Sequence, residues 1–252
     1  LNAEPLIRIQ ELTIRLSGRD ILKKINLDVR RGEILAVMGL SGVGKSTLLK
    51  CLIGLLKPTS GEIFLEGKEI TGLKSQDLND IRKKIGMVFQ SPALFDSLTI
   101  GENVAFGLRE HTRLPEDEIR RIVVENLAMV DLKGLEEMFP SQLSGGMQKR
   151  ASLARTISTQ PEIILYDEPT SGLDPIMSNV INDLILDMRN KLGATSIVVT
   201  HDMGSAFRIA DRIAMLIGGK IVELNTAEGI KNSTNPLVVQ FRDGNVEGPI
   251  KV

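Results

Sequence analysis

Short apolar runs and amphipathic stretches alternate along most of this chain. Ile34–Met38 is apolar without a break, which predicts a strand buried on both faces. A Gly-rich turn follows it, then a helix expected from Lys45 to about Leu56. Residues 163–166 and 196–200 are two more runs of the same kind. Between them Asp174 is placed as an N-cap, Pro175 at the first helical position and Gly193 just past a helix end. This alternation predicts an α/β fold with a mainly parallel sheet covered by helices. The stretches 7–14, 25–29 and 61–66 alternate apolar and polar instead, and predict an antiparallel β-layer beside the parallel core.

From about Ser91 to Gln160 the strand signal fades and a helical insertion is expected. Thr99-Ile100-Gly101-Glu102 has capping-box spacing. Pro115 opens a second helix whose apolar positions Ile119, Ile122, Val123, Leu127 and Val130 keep the 3.6-residue period. The chain thus divides into one domain over residues 1–232, its helical part near 91–160, and a C-terminal extension over 233–252.

Composition narrows the possibilities. At 252 residues there is ample apolar sequence for a core. A formal charge of −1, from 31 basic and 32 acidic residues, gives no reason to expect a nucleic-acid partner. The single cysteine, Cys51, excludes an internal disulfide, fits a reducing compartment and lies in an apolar run that marks a buried thiol. No stretch approaches the roughly 18–20 apolar residues of a membrane span, and the N-terminal sequence has no secretory pattern.

The candidate chemistry begins at Gly39-Leu40-Ser41-Gly42-Val43-Gly44-Lys45-Ser46, a P-loop pattern after a predicted strand and before a predicted helix. Its backbone N–H groups wrap α- and β-phosphates, Lys45 reaches the β- and γ-phosphates, and the Ser46 hydroxyl ligates Mg²⁺. Residues 163–168 form an apolar strand ending in Asp167 and Glu168. Asp167 is expected to hold Mg²⁺ through water and Glu168 to polarise the attacking water, as adjacent carboxylates point to opposite sides of a strand. Gln90 and His201 each follow an apolar run, and both face the γ-phosphate if their strands neighbour the P-loop strand. His111 sits among polar residues and is expected to face solvent. A second phosphate-attracting helix end stands at Leu143-Ser144-Gly145-Gly146-Met147-Gln148. Two such ends in one chain point to a nucleotide held between two copies.

Taken together, the P-loop, Gln90, the Leu143–Gln148 signature, Asp167-Glu168, Ser171-Gly172-Leu173-Asp174 and His201 resemble the nucleotide-binding subunit of ABC transporters, from about Leu6 to Leu224 and in that family's order. The resemblance implies an ABC ATPase fold and ATP with Mg²⁺ as ligands. It implies Glu168, His201 and Gln90 as catalytic residues and Ser46, Gln90 and Asp167 around the metal. The nucleotide set it implies is Gly39, Ser41, Gly42, Val43, Gly44, Lys45, Ser46 and Thr47 from one copy. Ser144, Gly145, Gly146, Gln148 and Asp174 come from the other copy. It also implies integral membrane permease subunits, contacted through Gln90 and residues 91–97, and a place on the cytoplasmic face of the membrane. Leu16 stands where the family usually has an aromatic residue to stack on adenine, so the resemblance does not imply strong discrimination of ATP from GTP.

A narrower resemblance, carried by residues 106–112, 96–99, 240–244 and 248–250, is to the Mla-type ATPases of bacterial phospholipid transport. It implies an MCE-domain lipid-binding partner and a small regulatory subunit. It also implies a C-terminal extension reaching the neighbouring ATPase through Leu237, Val238, Val239 and Phe241. Amino-acid import and lipoprotein release remain open within the family. A soluble ABC ATPase acting on ribosomes or DNA fits less well, because such proteins usually carry two cassettes or a long coiled-coil insertion. Asn190-Lys191-Leu192-Gly193 resembles a guanine-specificity motif but lacks its aspartate, which rejects a GTPase reading.

Overall fold

Alternation along the first strands builds an antiparallel layer. The computed structural model describes residues 4–251. Strands β1 (Ile7–Leu16), β2 (Arg19–Val29), β4 (Ser60–Leu65) and β5 (Lys68–Glu69) form a four-stranded sheet in the order β2-β1-β4-β5, with antiparallel neighbours. The second sheet contains β3 (Ile34–Met38), β6 (Ile85–Val88), β7 (Ile163–Asp167), β8 (Thr195–Thr200), β9 (Arg212–Ile217) and β10 (Lys220–Thr226). Its order is β10-β9-β3-β8-β7-β6, parallel except for the β9–β10 edge pair.

Period-two packing explains why the parallel strands are apolar throughout. Leu35 and Val37 point into the core shared with the antiparallel sheet and helix α1 (Lys45–Leu52). Ile34 faces a second core, and Ala36 and Met38 a third. The second core joins the sheet to the inserted helices α3 (Ile100–His111), α4 (Glu116–Met129) and α5 (Gly145–Ile157), and to α6 (Pro175–Leu192). Helix α2 (Ser75–Lys83) precedes β6, while α7 (Met203–Ile209), α8 (Ala227–Lys231) and α9 (Pro236–Asp243) complete the chain order. The expected capping box at Thr99 is present, and Asp174, Pro175 and Gly193 occupy their expected positions on α6.

Helix α1 ends at Leu52, four residues short of the expected Leu56. Gly54 takes φ +65°, its N–H donates to Cys51 O and the Leu55 N–H to Lys50 O. That pair of bonds closes the helix at a glycine. Helix α5 starts at Gly145, where Ser144 caps it by accepting from the Met147 N–H at 3.3 Å. In the extension, Val238 is buried and partly buried Phe241 packs on the chain's own third core. Leu237 and Val239 are half-buried. Among the described residues no helix is long and apolar enough to cross a membrane.

Candidate active site

Three parallel strands deliver their C-terminal ends to one level. Met38 pairs with Thr200, and Asp167 with Val199, so Gly39, Glu168 and His201 leave the sheet together. Ligands bind at this edge of open α/β sheets. Close packing makes glycine necessary at Gly39, where a Cβ would stand 2.1 Å from the Leu216 carbonyl oxygen.

The P-loop hangs over this edge. Lys45 is 6% exposed, and its Nζ donates to Gly39 O at 2.8 Å and Leu40 O at 3.1 Å. The same Nζ lies 3.2 Å from Glu168 Oε1. Ser46 Oγ donates to Asp167 Oδ1 at 2.8 Å. Burial holds the Asp167 carboxyl above the usual carboxylate range, helped by the Glu168 charge and opposed by the Ser46 hydroxyl. A cation at this pair would relieve that cost. Among the described residues no three His, Cys, Asp or Glu side chains gather into a metal cage. One hydroxyl with one buried carboxylate suits Mg²⁺, which keeps its waters and leans on phosphate oxygens.

Glu168 stands just beyond β7, not on it, with φ +49°. The turn, rather than strand alternation, separates its direction from that of Asp167. Its N–H donates to Val199 O, and its Oε2 faces His201 Nδ1 at 2.9 Å. His201 presents an otherwise half-exposed ring. Asp202 caps α7 by accepting from the Gly204 N–H, and Ser205 Oγ donates to Asp202 Oδ2 at 2.6 Å. Buried Asn182 donates in turn to Ser205 Oγ, so the residue next to His201 is fixed from behind.

Gln90 is a partial exception. Its strand β6 lies at the far edge of the sheet, three places from β3, and is not the neighbour the sequence suggested. Its Nε2 donates to Ser171 Oγ at 3.3 Å instead of joining Ser46 and Asp167. Signature residues Ser144 and Gly145 lie exposed on α5, with no bond to this chain's own P-loop among the described residues. Gln148 spends its amide on Pro140 O and Leu143 O, bracing the turn ahead of the helix. Asp174 Oδ1 accepts from the Ile176 and Met177 N–H groups, beside an Ile176 that is 77% exposed. Cys51 is buried, and burial alone pushes its thiol up to about 12. His111 is exposed, as expected.

The pattern of the ABC transporter family matches residues 22–171. The chain belongs to that family. This ABC ATPase is 44% identical, over 98% of its length and 93% of the relative's, to the intermembrane phospholipid transport system ATP-binding protein MlaF of Haemophilus influenzae. It is 43% identical over 99% of its length, and 77% of the relative's, to the chloroplastic protein trigalactosyldiacylglycerol 3 of Arabidopsis thaliana. Its fold resembles the dimeric ATP-binding cassette MJ0796 in a post-hydrolysis state bound to ADP and Pi. That match has a TM-score of 0.81 at 34% identity, and covers 88% of this chain and 98% of the other.

Sequence reasoning missed Lys149, whose Nζ donates to Pro169 O at 3.2 Å and to Ser171 O. It also missed the Asn182–Ser205–Asp202 brace. Only the position of Lys149, five residues after Ser144 in the signature helix of this ABC ATPase, hinted at it.

Proposed function

We propose that this chain is the ATP-hydrolysing motor of a phospholipid transporter and works as a head-to-tail dimer with two composite sites. Carrying most weight is the placement of the Glu168 carboxylate, held between Lys45 Nζ and His201 Nδ1 at the P-loop edge of the sheet. Lys45 and the loop amides bind the phosphates. Ser46 and Asp167 would hold Mg²⁺, with Gln90 reaching it once freed from Ser171; the ion would neutralise charge on the phosphate oxygens.

Glu168 accepts the proton of the water whose oxygen attacks the γ-phosphorus, while the bond to the β-bridging oxygen breaks and ADP leaves. His201 orients that carboxylate by donating from Nδ1. A neutral ring would then offer only an acceptor at Nε2, so gripping a phosphoryl oxygen there needs the protonated ring. Ser144, Gly145 and Gly146 bring amides from the partner's α5 only on closure, when they stabilise charge on the transferring group. Exposed Ile176 and Asp174 at the start of α6 supply apolar and polar parts of the same dimer face.

A groove of about 500 Å³ beside Gln90 suits the permease. Phe89, Phe95 and Phe106 are each about two-fifths exposed along it, the Phe95 and Phe106 rings are 4.8 Å apart, and Arg155 lies over Phe95. Aromatic walls with a basic rim fit a short amphipathic helix carrying an acidic residue. The phospholipid assignment rests on the similarity to the MlaF protein and on the tail and loop sequences. An MCE-domain protein and a small regulatory subunit belong to the assembly this reading expects.

Glu168→Gln tests the chemistry. Steady-state hydrolysis should vanish while ATP-bound dimers accumulate in size-exclusion chromatography. Undiminished turnover would remove Glu168 from the water-activating role.

A further inference from the structure

Lys149 is a cation without a carboxylate. Among the described residues it makes no ion pair, and its ammonium instead donates to two backbone carbonyls, Pro169 O and Ser171 O. Both belong to the turn that leaves β7 directly after Glu168 and runs on to Asp174. Burial draws the ammonium below its ordinary pKa, and the nearby Glu168 charge pulls it back up. Half-burying an ammonium against neutral dipoles costs free energy unless the geometry returns it.

That geometry joins three parts of the molecule at one turn. Lys149 is one helical turn from Gly145 on the same face of α5, because residues four apart stack along a helix. The Ser171 carbonyl accepts from Lys149, while its hydroxyl accepts from Gln90. Its N–H donates to Glu168 O at 3.1 Å. Glu168 itself keeps a left-handed φ of +49°, a conformation that persists for a non-glycine residue only when its surroundings hold it. Few other bonds hold this turn: Glu168 N–H to Val199 O and Leu173 N–H to Thr170 O complete the backbone set. The Lys149 clamp is therefore a hydrogen-bonded link between the catalytic turn and the signature helix, beside the apolar packing of Met147 and Leu173.

We infer that Lys149 is a positioning residue that ties Glu168 of each chain to the α5 end which that chain offers to its partner's nucleotide. The inference rests on the composite-site reading above. Movement of α5 on closure then reaches the chain's own Glu168 through the Pro169–Ser171 carbonyls, so each site is set by the engagement of the other. Lys149 touches no P-loop residue among the described contacts, and its loss should leave nucleotide binding alone.

Lys149→Met removes the donors at similar length, and Lys149→Arg restores them. In Lys149→Met, kcat should fall on the order of 10- to 100-fold, as for a catalytic group displaced by about 1 Å. The KM for ATP should stay within about twofold, since the binding interactions are untouched. The Hill coefficient for ATP should drop from the wild-type value to about 1. Lys149→Arg should recover both kcat and cooperativity. Thermal melting and fluorescent-nucleotide binding of both variants establish that each is folded. An unchanged kcat in Lys149→Met would overturn the positioning role, and a reduced kcat with full cooperativity would overturn the coupling. A wild-type protein with a Hill coefficient of about 1 and activity linear in concentration would instead sink the composite-site reading beneath it.

Discussion

Glu168 illustrates how much chemistry depends on one residue's exit angle. Asp167 ends its strand bonded to Ser46, and the next residue turns through φ +49° to meet Lys45 and His201. In the proposed mechanism the two adjacent carboxylates thereby serve a cation and a water without competing. Leu16 is the contrasting case, an aliphatic side chain 41% exposed at the end of β1. Its strand partner β2 continues to Ile21 and Leu22, which stand against Gly44 of the P-loop. If Leu16 is the nucleobase platform, Leu16→Tyr should tighten ATP binding about tenfold, since stacking on an aromatic ring is worth about 1–3 kcal/mol per base. Titration with a fluorescent ATP analogue measures it. Equal affinity in the two proteins would take Leu16 out of the base site.

At the scale of elements, the site is an edge where β3, β7 and β8 stop in register and two helix starts begin. Backbone contact rather than side-chain chemistry sets the spacing there. Gly39→Ala drives a Cβ into the Leu216 carbonyl and must push β9 away from the loop. Overpacking of this kind costs about 1–3 kcal/mol, which should appear as a lowered melting temperature without nucleotide. An unshifted Tm would mean that β9 yields freely. The strands and caps were legible because β3 is apolar on both faces and because Asp174, Pro175 and Gly193 are specific punctuation. The early end of α1 was also written in the chain, at Gly54, but apolar Leu55 and Leu56 continued the helical period past it. Sheet order was not legible: β6 looks like any buried strand, yet it lies at the edge and leads to a Gln90 bonded to Ser171. Lys149 was invisible for a related reason, since its partners are carbonyls, which leave no trace in side-chain sequence.

On the proposed reading, the whole molecule presents half of an ATP site on each of two surfaces. Lys45, Ser46, Asp167, Glu168 and His201 converge on the edge of the parallel sheet, whereas Ser144 and Gly145 lie exposed on α5 with no bond to that edge. On the proposed reading a head-to-tail pair completes both sites, and the symmetry makes the two sites equivalent. Hydrolysis by an equimolar mixture of Lys45→Ala and Ser144→Arg chains tests this most directly. Each variant alone should be inactive, although Ser144→Arg still binds ATP. Every mixed dimer would contain one site with both an intact P-loop and an intact α5 end, so the mixture should regain hydrolysis that neither variant shows alone. The rate should reach up to about a quarter of wild type for independent sites, and stay below that for sites coupled through Lys149. A mixture as inactive as its components, or Ser144→Arg turning over alone at the wild-type rate, would contradict the account.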